Sequence, residues 1–234
     1  ILKKNKTPFY IYSESQIAFN FLKFANTFKK TDPLICFAAK SNSNLNILRV
    51  LGKLGAGADV VSGGELLKAL KAGIRPNKIV FSGVGKTEEE LKIAINKKIL
   101  LINCESESEA KLVNNLSKKL RKKVSIGFRL NPNVDAKTHK NISTGKAENK
   151  FGLSIKNFKV FLKTVKTFKN VKLDALSVHI GSQILNDAPF RKTLNVMSKL
   201  IKELKLNLKY VDLGGGFGIN YTDKEKPINL SRYS

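Results

Sequence analysis

Two patterns alternate along the chain. Short apolar runs of four to eight residues are followed by longer stretches in which apolar residues recur every three or four positions. The first pattern predicts strands at 34–38, 58–61, 78–82, 99–102, 123–130, 173–179 and 208–213. The second predicts helices near 45–54, 64–72, 87–96, 106–120, 154–168 and 187–206. Ahead of these, "FYIYS" (9–13) reads as an N-terminal strand and 14–28 as a helix. Runs such as "KIVFS" and "LICFAA" are apolar on both faces, as parallel strands covered by helices must be. Strands alternating with helices predict right-handed βαβ units.

The polar residues choose between the two folds this order allows. Lys40, "ADVVSGGE" (58–65), "SGVGK" (82–86), "NCES" (103–106), "RLNP" (129–132), "HIGSQ" (179–183) and "GGGFG" (214–218) lie at or just after strand ends. A doubly wound sheet concentrates such residues near one switch point. Their spread over many strand ends is the pattern of a TIM-type (β/α)8 barrel. Seven barrel strands are counted, one short of eight. The predicted organisation is an N-terminal strand and helix over 1–30, followed by an incomplete barrel over 31–234. No internal repeat, Pro/Gly linker or low-complexity tail marks a further domain.

Composition narrows the function classes. The 43 Lys and Arg against 18 Asp and Glu give a formal net charge of +25. The lysines are scattered among apolar residues at helical spacing, as in "KNFKVFLKTVKTFKN" (156–170), which places most on solvated faces. No base-reading motif, aromatic-basic platform or Cys/His zinc pattern accompanies them, so no nucleic-acid partner and no metal are expected. The field suits anionic small molecules instead. No segment has the length and apolarity of a membrane span. The two cysteines, Cys36 and Cys104, sit in apolar runs and are expected as free thiols of a cytoplasmic protein.

Three features carry candidate chemistry. The glycines Gly214, Gly215 and Gly216 expose backbone N–H groups and permit positive φ, so the loop can wrap a phosphate or form a simple tight turn. It fits neither a P-loop, lacking "GK[ST]", nor a dinucleotide fingerprint, lacking a following βαβ unit. His179, at a strand end before Gly181 and Ser182, can stack on a flat ring, move a proton or be a structural histidine. Lys40 closes a buried run. An amine there loses solvation, which favours the neutral nucleophile; a snorkelling surface lysine is the alternative. Together a nucleophilic lysine, a histidine and a phosphate-binding loop suit pyridoxal phosphate, an aldehyde on a flat, phosphorylated ring.

Six stretches between Thr7 and Ile219 then resemble the fold-type III pyridoxal-phosphate decarboxylases, with their alanine-racemase-like barrel. They are "TPFYIYS", "CFAAKSNSNLNILRVLGKLGAGADVVSGGE", "KIVFSGVGKTEEEL", "RLNPNVDAKTHKNISTGKAENKFGL", "SVHIGSQI" and "VDLGGGFGI". The fourth resembles the branch that acts on diaminopimelate. The resemblance implies that Lys40 carries the cofactor, that His179 stacks on its ring, and that Gly214, Gly215 and Gly216, helped by Ser182, bind its phosphate. It places Asp59 near the cofactor and Lys40, Arg129 beneath the ring, and a flap over Asp135 to Lys150. "CES" at Cys104 resembles a catalytic motif of the family's C-terminal domain, but here it ends a barrel strand, so Cys104 is not expected to act as an acid.

For a whole enzyme, the resemblance implies a homodimer that decarboxylates meso-2,6-diaminopimelate to L-lysine. Ornithine, arginine or carboxynorspermidine decarboxylation, or a non-catalytic pyridoxal-phosphate barrel, are the alternatives. The family's eighth strand and C-terminal β domain have no counterpart before Ser234. A fragment without decarboxylase activity of its own is therefore expected.

Overall fold

The computed structural model describes residues 6–28, 30–135, 151–222 and 228–233. Helix α1 (Glu14–Thr27) precedes a sheet of parallel strands: β1 (Cys36–Ala38), β2 (Gly57–Val60), β3 (Ile79–Phe81), β4 (Leu101–Cys104), β5 (Val124–Asn131), β6 (Leu153–Ser154), β7 (Val171–Val178) and β8 (Tyr210–Asp212). Strand order is β1-β2-β3-β4-β5-β7-β8, with the two-residue β6 paired to the end of β5. Helices α2 (Leu45–Lys53), α3 (Gly63–Lys71), α4 (Glu88–Lys97), α5 (Glu107–Lys119), α6 (Ile155–Val165) and α7 (Ala188–Glu203) connect the strands, and α8 (Leu230–Tyr233) follows. Among the described residues no ladder joins β8 to β1. The sheet is an open barrel wall of seven principal strands, as counted from the sequence.

Helix starts are fixed by short polar signals. Ser62, Thr87 and Ser106 each accept the backbone N–H three residues on, from Glu65, Glu90 and Glu109. Each of these glutamates reaches back to an N–H of the incoming chain, at Val61, Thr87 and Glu105. The three S/T-x-x-E segments thus satisfy otherwise orphaned donors at both ends of the turn. This rigid turn chemistry sets the C-terminal rim of β2, β3 and β4.

The outer face of the sheet buries Phe81, Ile102 and Phe128 against the helices. Phe128 meets Phe158 and Phe161 of α6 at ring-centroid distances of 5.6 and 5.8 Å. β3 and β4 are buried at every position, which explains their unbroken apolar runs.

Two expectations fail. Residues 9–13 form no strand; Tyr10, Ile11 and Tyr12 are exposed and lead directly to Ser13, the N-cap of α1. A strand needs a neighbour for its backbone groups, and none pairs with this segment among the described residues. The first barrel strand is also shorter than its apolar run: Leu34 is exposed and the ladder covers Cys36–Ala38 alone. The chain then tightens into a 3-10 turn over Ala39–Ser41 that the pattern did not reveal. β6 and α8, at two and four residues, were too short to leave a periodic signal.

Candidate functional site

The inside of the wall is built in two levels. Val80, Leu101 and Ala175 are buried together, with Cys36 packed against them. Two residues further along the same strands stand Ser82, Asn103 and Ser177, with Asp59 from β2 and Asp212 from β8. A two-residue step keeps a side chain on the same face of a strand, so the interior turns from apolar to polar toward the C-terminal ends.

The polar level is one hydrogen-bonded chain. Ser82 Oγ donates to Asp59 Oδ1 at 2.5 Å. Asn103 Nδ2 donates to Ser82 Oγ at 3.3 Å and to Asp212 Oδ2 at 2.9 Å. Ser177 Oγ donates to the same Asp212 oxygen at 2.9 Å. The other oxygen, Asp212 Oδ1, accepts the N–H of Gly214 at 2.8 Å. A carboxylate with three donors is well satisfied in a partly buried setting.

At the rim, Arg129 and His179 are held from several sides. Arg129 pairs with Glu105 at 3.0 Å, both side chains largely buried. It also packs over the ring of Phe151 at 4.9 Å and donates weakly to the His179 carbonyl at 3.5 Å. The second Glu105 oxygen accepts the N–H of Gly152 at 3.0 Å. The imidazole accepts the N–H of Gly215 at Nδ1, 3.3 Å away. Burial, and then the charges of Arg129 and Lys40, push His179 down to about 4. It is neutral at physiological pH, with its proton on Nε2.

The glycine turn is shaped by close approach. Gly214 and Gly216 hold φ of +68° and +91°, and a Cβ at either would run into a backbone carbonyl, of Val178 and Gly181 respectively. A Cβ at Gly215 would meet nothing within 4 Å. Phe217 fastens the turn from behind, with ring centroids 5.3 Å from Phe24, 5.1 Å from Phe190 and 4.8 Å from Tyr233.

Lys40 sits in the 3-10 turn after β1 and is exposed, so strand burial does not desolvate it. Its charge still reaches the interior, helping to lower His179 and opposing the rise of Asp59. Burial, reinforced by Asp212, lifts Asp59 to about 6 against the Ser82 hydrogen bond and the charges of Lys40 and Arg129. Cys104 is fully buried, and burial pushes its thiol far up. Cys36 is half-buried, and burial raises it to about 12.

All eight residues singled out from the sequence therefore occupy one end of the wall. Gly214 abuts His179, and Gly216 abuts Ser182. One expectation needs revision in detail: the N–H groups of Gly214 and Gly215 turn inward, to Asp212 and His179, rather than outward. Ser82, Asn103, Glu105, Ser177 and Asp212 were missed. Ser82, Asn103 and Ser177 follow the apolar interior positions Val80, Leu101 and Ala175 by two residues, but their pairing, like that of Glu105 and Asp212, arises only in the folded wall. His139 and positions 136–150 of the expected flap lie outside the described residues.

A lysine, a neutral histidine and a glycine turn gathered at the strand ends of an open α/β barrel define the class of a barrel with its candidate site at the C-terminal rim. The pyridoxal binding domain of pyridoxal-dependent decarboxylases matches residues 14–234, and the chain belongs to this family. It is 43% identical over 223 residues to the diaminopimelate decarboxylase of Aquifex aeolicus, covering 94% of this chain and 53% of that protein. It is 45% identical over 234 residues to the diaminopimelate decarboxylase of Helicobacter pylori strain J99, covering 98% and 57%. The crystal structure of the H. pylori enzyme complexed with L-lysine superposes with a TM-score of 0.94 at 42% identity, covering 99% of this chain and 59% of that one. The chain spans about half the length of the curated relatives it matches.

Proposed function

We propose that this chain is the cofactor-binding portion of a diaminopimelate decarboxylase, and that Lys40 holds pyridoxal phosphate. The observation that carries the reading is the gathering of Lys40, Asp59, Arg129, His179 and the glycine turn at one end of the barrel. The residues fit the cofactor's three parts. Lys40 offers an accessible amine for the aldehyde. His179, neutral and fixed at Nδ1 by Gly215, offers a flat face to a ring. The Gly216 N–H and the Ser182 hydroxyl make no hydrogen bond among the described residues and suit a phosphate.

Pyridoxal phosphate supplies an aldehyde and a ring that accepts the electron pair left when carbon dioxide departs. The chain's own groups bind and orient. Asp59, ionised above about pH 6, sets a negative charge where Lys40 feels it. Arg129 is held by Glu105 so that its planar cation keeps one orientation. For the whole protein, the identity to relatives named diaminopimelate decarboxylase supports meso-diaminopimelate as substrate and L-lysine as product. A homodimer and a cytoplasmic location accompany that reading.

The test is to add pyridoxal phosphate to the full 234-residue chain, reduce with borohydride and map the modified peptide. Modification at Lys40, lost in Lys40→Ala, is expected. An equal yield in Lys40→Ala overturns the assignment.

A further inference from the structure

We propose that Asn103 is a positioning residue that sets the glycine turn and His179 from across the barrel. Asn103 lies on β4 and Asp212 on β8, strands that are not neighbours in the sheet. The 2.9 Å bond between them crosses the interior and joins residues 109 positions apart. Asn103 is 1% exposed, so on its side of this part-buried contact a lost partner is costly.

The geometry passes the constraint on to the site. With Asn103 and Ser177 bound at Oδ2, the Asp212 carboxylate has one orientation, which directs Oδ1 at the Gly214 N–H. Gly214 bonded in this way sets the next peptide, whose N–H meets His179 Nδ1. The amide of Asn103 therefore helps to fix which imidazole nitrogen carries the proton. The Asn103 side-chain amide donates to Ser82 and Asp212, so it acts on the glycine turn through Asp212.

Gly127 holds Asn103 in this pose. A Cβ at position 127 would collide with Asn103 Oδ1, so the glycine lets the amide lie flat against β5. That oxygen is buried and accepts no hydrogen bond among the described residues. The arrangement leaves one acceptor unsatisfied while both Nδ2 hydrogens are used on Ser82 and Asp212. A site that tolerates an orphaned acceptor is one whose donors matter.

The role in cofactor binding rests on the proposed function; the effect on the turn does not. The test uses the full chain and three variants: Asn103→Leu, Asp212→Asn and the exchange Asn103→Asp with Asp212→Asn. Amide hydrogen exchange at Gly214 and Gly215 is read without cofactor, and pyridoxal phosphate affinity by titration. In each single variant, exchange at both glycines is expected to accelerate at least tenfold and affinity to fall about tenfold, as for a lost hydrogen bond to a charged group. The exchange variant restores a donor–acceptor pair and is expected to recover most of both. Wild-type exchange at the two glycines in folded Asn103→Leu overturns the proposal. If Asn103→Leu does not fold, unrecovered exchange rates in the double variant overturn it. Failure of the wild-type chain to bind pyridoxal phosphate overturns the proposed function alone, because the exchange measurement still stands.

Discussion

Ser82 Oγ lies 2.5 Å from Asp59 Oδ1, joining the end of β3 to the interior of β2. The bond favours an ionised Asp59, yet burial outweighs it and lifts the carboxyl from 3.8 to about 6. Folded Asp59 keeps a proton that the unfolded chain has already released, so its contribution to stability falls as pH rises from about 4 to 6. His179 has the opposite sign. Its folded value of about 4, against an ordinary 6.5, makes stability fall as pH drops from 6.5 toward 4. The two slopes offset each other in wild type. Asp59→Asn is therefore expected to gain on wild type by about 2 kcal/mol between pH 4 and 6. His179→Gln is expected to gain on wild type as pH falls through the same window. Urea unfolding at pH 4, 5, 6 and 7 reads both, and a pH-independent difference for Asp59→Asn would refute the burial of that carboxyl.

Glu105 holds two partners with separate oxygens, Arg129 at 3.0 Å and the Gly152 N–H at 3.0 Å. Glu105→Ala leaves a largely buried guanidinium without its counter-charge and is expected to lose about 3 kcal/mol. Glu105→Gln keeps one carbonyl acceptor and is expected to lose about half as much. Denaturant midpoints check the ranking. Equal losses would show that Arg129 is held by the charge on Glu105 and that the retained shape and acceptor of glutamine add nothing.

These pairings also show where sequence reasoning stops. Apolar runs placed β2 to β5 and β7 because two-sided burial leaves continuous hydrophobic text. Lys40, His179 and the glycines were legible because each departs from such a run at its end. Asn103 and Asp212 were not, since a bond between residues 109 apart is created only when the wall curves. Glu105 stood beside Cys104 in a triplet read only for its cysteine, and its own pairing depended on Arg129 arriving from β5. The segment 9–13 misled because aromatic and β-branched composition reports a preference, and pairing needs a partner.

The glycine turn separates two neighbouring positions. Gly216 has φ of +91° and no room for a Cβ beneath the Gly181 carbonyl. Gly216→Ala is expected to lose about 2 kcal/mol or more and to weaken pyridoxal phosphate binding with it. Gly215 has open space where its Cβ would project, so Gly215→Ala is expected to change stability by about 0.5 kcal/mol or less. Thermal unfolding compares them. Equal destabilisation would mean that the turn is not held against Gly181.

Lys86 offers the last contrast, because its ammonium is fully buried yet satisfied. It donates to the carbonyls of Gly83 at 2.7 Å and Asn103 at 2.8 Å, and pairs with Glu109 at 2.7 Å. Glu109 in turn accepts the Glu105 N–H at 2.7 Å. The pair thus secures the peptide groups on either side of Cys104, from which Asn103 and Glu105 reach into the site. Lys86→Met leaves Glu109 charged and 11% exposed with no cation, and is expected to lose about 3 kcal/mol. Adding Glu109→Gln removes that stranded charge while keeping an acceptor for Glu105. The double variant is expected to be more stable than Lys86→Met alone, even though it carries one more substitution. A double-mutant cycle from urea midpoints measures this. Simple addition of the two single losses would show that the pair acts through packing and not through charge.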